Sequence, residues 1–132
     1  MNLNISESNL PDFLYITLDE YPTPANFESL VNEIFSLPAW KSGLNVIVHI
    51  TEANKQSHSL SDVYLYERII SKHLDKLMKS HCGVVLTDTV NPEIHNIFKL
   101  IIQHKSKKRI SLFSDKQEAI DWIKEISRQA RD

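Results

Sequence analysis

The chain of 132 residues is 42% hydrophobic and 24% charged, the balance of one globular domain rather than of a disordered, collagen-like or coiled-coil polypeptide. Its fifteen basic and seventeen acidic residues leave a net charge of −2, too little cationic excess for wholesale nucleic-acid binding, and its apolar runs fall short of the ~18 residues of a membrane span. No basic-then-apolar leader opens it, and with Cys82 as the one cysteine no internal disulfide can form, so a cytoplasmic setting is expected.

Leu3 and Ile5 alternate with polar neighbours in the opening segment, Asn2 to Ser8. The turn-like Asn9-Leu10-Pro11-Asp12 follows, then the β-rich Phe13 to Asp19. Two such runs around a turn predict an antiparallel hairpin. Thr23-Pro24 signals a helix start, because Thr caps the free amides and Pro has no N–H to lose at the first helical position. Phe27, Leu30, Val31, Ile34 and Phe35 continue at helical spacing, and Leu37-Pro38 ends the run. LNVIVHI, Leu44 to Ile50, is nearly all apolar and β-branched, which suits a central strand covered on both faces.

Residues 51–59 are polar, and Ser59 or Ser61 can cap the next helix, whose apolar period runs from Val63 through Leu77 to about Lys79. Cys82 to Asp88 reads as another buried strand. Asn91-Pro92 repeats the cap-then-proline signal ahead of Ile94, Ile97, Phe98, Ile101 and Ile102. Arg109 to Ser114 supplies the last strand, and Ser114 with Gln117 forms an S-x-x-Q capping box for a final helix burying Ala119, Ile120, Ile123 and Ile126. The order is β-β-α-β-α-β-α-β-α. It predicts one α/β domain over residues 1–132, with five strands, an antiparallel first strand, an otherwise parallel sheet and four helices.

Trp40 and Gly43 ahead of LNVIVHI, a Ser-rich loop entering a long helix, and the closing ISLFSDKQEAIDWI of Ile110 to Ile123 together resemble the STAS superfamily, in particular its SpoIIAA-like branch. The resemblance implies a non-catalytic domain that binds protein partners, with some relatives binding nucleotides or apolar ligands. In the anti-sigma-factor antagonists a serine is phosphorylated in an Asp-Ser-[Ser/Thr]-Gly-like motif, where the helix after the third strand begins. The matching stretch here, Glu52 to Asp62, holds Ser57, Ser59 and Ser61 but no glycine. Where relatives often carry an acidic residue at that strand's end, this chain has His49 or Thr51.

Ser57, Ser59 and Ser61 are therefore the candidate phosphorylation loop, where a phosphate would meet helix N–H groups. Hydroxyls there also serve as ordinary caps. Asp88, Thr89 and Asn91 lie between a strand's carboxyl end and a helix start, the place where open α/β sheets bind ligands, and are the candidate ligand or partner loop. Lys105, Lys107, Lys108 and Arg109 form a basic stretch suited to an acidic partner, to membrane headgroups or simply to a solvated face. The six histidines, His49, His58, His73, His81, His95 and His104, show no metal-ligand spacing, and no metal or cofactor is expected. Cys82 follows His81, but neighbouring strand residues point to opposite faces, so Cys82 reads as a small buried hydrophobe rather than a nucleophile.

Three functions from different classes follow. The first is a non-catalytic, STAS-like interaction or regulatory module, with a protein partner and a candidate homodimer. The second is a carrier of a small apolar ligand or lipid, held among Phe13, Tyr15, Tyr64, Tyr66 and Phe98 between helices and sheet. The third is a small enzyme using His49 or Asp88 as acid or base. With only Gly43 and Gly83 as glycines, a glycine-rich phosphate cradle is excluded.

Overall fold

The computed structural model describes residues 3–20, 22–41, 43–51, 60–73, 75, 79–86, 96, 99, 100, 103, 104 and 109–131. Five strands form one sheet in chain order: β1 (Leu3–Ser6), β2 (Leu14–Leu18), β3 (Val46–Ile50), β4 (Cys82–Leu86) and β5 (Ile110–Phe113). β1 runs antiparallel to β2, and every later pair is parallel. The predicted hairpin is thus present. Its turn is closed by the Asp12 and Phe13 N–H groups, both donating to the Asn9 carbonyl.

Helix α1 (Pro24–Phe35) begins as its sequence dictates, with Thr23 Oγ1 accepting from the Asn26 N–H at 3.2 Å and Pro24 in the first turn. Helix α2 (Leu60–Lys72) stops short of Lys79, the expected end. The His73 N–H is shared between the Ile69 and Ile70 carbonyls, a contraction typical of a final turn. Helix α3 (Lys116–Arg131) also starts differently from expectation. The Asp115 carboxylate, not the Ser114 hydroxyl, accepts from the Gln117 N–H at 3.2 Å, and the Gln117 amide reaches forward to Asp121 rather than back. A carboxylate one residue closer to the free amides wins that competition.

Four helices were expected, and three are delimited among the described residues. Positions 96, 99, 100, 103 and 104 are helical, but Ile94, Ile97, Phe98, Ile101 and Ile102, which carried that expectation, lie outside them. Apolar period assigns residues to a face; it does not bound an element.

Strand alternation sorts the side chains onto two faces. Leu14, Ile16 and Leu18 of β2 line up with Val46, Val48 and Ile50 of β3, then with β4 and β5 positions ending in Ile110 and Leu112. Leu30 and Ile34 of α1 and Tyr66 and Ile70 of α2 complete that cluster. Right-handed crossovers between strands taken in order place α1 and α2 on this one face. The other face carries Phe13, Ile47 and Val85, covered by Ala119 and Ile123 of α3. Both cores are deeply buried: Ile16, Ile47, Val85 and Ile123 are 0% exposed.

At the amino ends of the parallel strands a polar clasp joins three elements. Buried Asn45 accepts from the His81 N–H at 3.0 Å and donates to Ser127 Oγ at 3.1 Å. Gly43 donates its N–H to buried Ser80 Oγ at 3.2 Å, and its φ of +95° is one that side-chain-bearing residues avoid.

Candidate functional site

Aromatic side chains hold α1 and α2 together over the sheet. The Phe27 ring meets Tyr66 edge-on at 5.3 Å, and the Tyr66 hydroxyl donates to the Pro22 carbonyl. At the far end Phe35 packs against Trp40 at 4.8 Å and against His73 at 5.8 Å. Lys72 pairs with Glu28 at 2.9 Å on the outer surface, where such a pair contributes about 0–1 kcal/mol. Beneath this layer lies a cavity of about 110 Å³. Its walls are Phe27, Leu30, Ile34, Phe35 and Trp40 from the α1 side, Tyr66, Ile69 and Ile70 from α2, and Val46, Val48, Cys82 and Val84 from the sheet. His73, Ser80 and His81 border it as well.

The one thiol among these is passive. Cys82 is half-buried by exposed area, yet protein encloses its thiol closely enough for burial to push the pKa up to about 12. At neutral pH it is a thiol and not a thiolate. The His81 ring turns instead to Trp122 of α3, at 5.8 Å. Burial first, and then the Arg109 charge, push the His81 imidazole below its ordinary value.

A second polar group lies on the α3 face. Tyr15 Oη and His49 Nδ1 are 2.7 Å apart, joining β2 to β3. Lys116 Nζ, in the first turn of α3, stands 4.7 Å from the centre of the Tyr15 ring. Burial, and then the Lys116 charge, lower the pKa of His49.

The candidate residues divide between the described and the undescribed parts of the chain. Ser57, Ser59, Asp88, Thr89, Asn91, Lys105, Lys107, Lys108, His58 and His95 lie outside the described residues. Ser61 is an exposed residue inside α2, one position past its first, so it does not cap that helix. Arg109 is half-buried just before β5, and its carbonyl accepts from the Cys82 N–H at 2.8 Å. His104 is exposed. Among the described residues no three His, Cys, Asp or Glu side chains converge on a metal position, and no helix is long and apolar enough to cross a membrane.

Of the aromatic residues proposed to line a gap, Tyr66 does so. Phe13 and Tyr15 pack on the opposite face, Tyr64 is 55% exposed, and Phe98 lies outside the described residues. Phe27, Phe35 and Trp40 take their place. Alternation through Leu14, Ile16 and Leu18 already separates Tyr15 from that wall.

No family model matches the chain, and no curated protein does. Among solved structures, one from Shewanella loihica PV-4 is similar, an uncharacterized protein from the DUF3478 family with a SpoIIAA-like fold. The two share 18% identity over 92% of each chain, with a TM-score of 0.56. The fold of this chain is SpoIIAA-like.

Proposed function

We propose that the chain is a non-catalytic, STAS-like module that works by binding, with a protein partner in a regulatory role. The observation that carries this reading is the chemistry of the cavity. Its walls are mainly aliphatic and aromatic, and the Cys82 thiol beside them has its pKa pushed up to about 12. Such a lining favours holding a ligand over transforming it. A homodimer belongs to the same proposal.

Native mass spectrometry of the protein from its natural host tests it. The expected result is a complex of fixed stoichiometry that separates on denaturation. A bare monomer under native conditions overturns the interaction reading. A phosphate mapped to Ser57, Ser59 or Ser61 would add a regulatory switch.

A second reading, a carrier of a small apolar ligand, is favoured by the cavity volume. About 110 Å³ approaches the size of dry engineered cavities of ~150 Å³ that admit benzene. A small mass lost on denaturation supports it. Unchanged thermal stability in saturating benzene counts against it.

A further inference from the structure

We propose that Tyr15, His49 and Lys116 form a separate site, on the sheet face opposite the cavity, that takes a small oxyanion, a carboxylate or a phosphate group. The three residues come from β2, β3 and the first turn of α3. His49 is the penultimate residue of β3, and α3 follows the carboxyl end of β5 directly. The group therefore lies toward the carboxyl edge of the parallel strands, where open α/β sheets hold their ligands.

The hydrogen bond of 2.7 Å between Tyr15 Oη and His49 Nδ1 fixes the imidazole and accounts for one of its nitrogens. The other, Nε2, is buried and has no hydrogen-bond partner among the described residues. Native proteins leave few buried polar atoms in that state, and an unmet one points to a group that binds there. Burial and the nearby Lys116 charge favour the neutral ring. In the proposed site the Tyr15 hydroxyl donates to Nδ1, so the neutral ring carries its own proton on Nε2, which makes Nε2 a donor.

Charge selects the ligand. Lys116 is exposed, lies over the Tyr15 ring and makes no ion pair among the described residues. Beside a neutral imidazole it leaves a local positive charge, which attracts an anion and repels a metal ion. The Asp115 carboxylate already occupies the free amide of Gln117. The anion is therefore held by the side chains of Lys116 and His49, with Tyr15 orienting the ring, and not by the helix end. An oxyanion receives charge-assisted hydrogen bonds from such donors.

The test is a titration of the isotope-labelled full chain near pH 7, with inorganic phosphate in one arm and acetate in the other. Chloride keeps the ionic strength constant, and the His49 ring and Lys116 side-chain resonances are followed. The expected result is saturable movement of both signals, with Lys116→Gln weakening the interaction roughly tenfold or more. Lys124→Gln, another exposed change on α3, should leave it unaltered. Because Lys116 is on the surface, its variant should keep the fold, and the amide spectrum checks this. Saturation by phosphate alone assigns a phosphate-bearing ligand; saturation by acetate assigns a carboxylate. If neither anion gives saturable movement at His49, or if Lys116→Gln binds as the parent does, the proposal is overturned.

Discussion

The two faces of the sheet are built from alternate residues of the same strands, yet they meet their helices in different ways. On the α3 side the layers meet through small residues, Gly83 and Ala119. A Cβ placed on Gly83 would lie 3.5 Å from the Ala119 Cβ and 3.5 Å from the Phe113 ring, which is ordinary contact distance. On the α1–α2 side, the rings of Phe27, Phe35, Trp40 and Tyr66 meet one another at the ends of the layer, and a cavity of about 110 Å³ remains beneath. Both faces are apolar. What separates them is the size and placement of the side chains between layers, and the cavity lies on the looser one.

Removing a side chain from the closed face should have the largest effect. Ile123→Ala deletes a fully buried side chain of α3, and a loss of about 2–5 kcal/mol is expected in urea unfolding. A loss below about 1 kcal/mol would mean that this face collapses around the gap, contrary to dense packing.

Adding atoms tests the contrast more directly. Ala119→Leu forces bulk into the closed layer and should cost about 1–3 kcal/mol. Val48→Ile puts one more methylene against the cavity, where burial favours it by up to about 0.8 kcal/mol. Opposite signs in the two unfolding midpoints sustain the comparison; equal losses break it.

Titration of two histidines beside α3 should have a smaller effect. His49 and His81 have pKa values pushed below the usual histidine value of 6.5. Between the lowered value and 6.5 the unfolded chain binds more protons than the folded one. The stability they contribute is therefore fully present above 6.5 and is lost as pH falls through the folded values. Urea midpoints should drop between about pH 7.5 and 5.5, and His49→Gln with His81→Gln should flatten that slope. An unchanged slope would remove both imidazoles from the account.

Much of the fold was legible. β2, β3 and β5 announce themselves through runs such as Leu14–Leu18 and Val46–Ile50, and Thr23-Pro24 marks the start of α1 to the residue. The sites were less so. Helical period put Phe27 and Phe35 on a buried face but could not say how far that face stands from the sheet, because layer spacing depends on which rings meet across elements. Tyr15 and His49 are 34 residues apart in sequence. Only the parallel register, with Thr17 opposite His49, brings the hydroxyl two positions along to the ring. Ser114 and Asp115 are both good caps, and one residue of register decides between them.

The closed face has a consequence for synthesis. Phe13, Ile47 and Val85 belong to strands that leave the ribosome before Ala119 and Ile123 exist. Strands in chain order can join the sheet one after another, and α1 and α2 can cover their side as they emerge. The opposite side has to wait for α3. Until that helix docks, the nascent chain carries an apolar sheet surface open to water, the interval in which chaperones capture growing polypeptides and aggregation competes with folding.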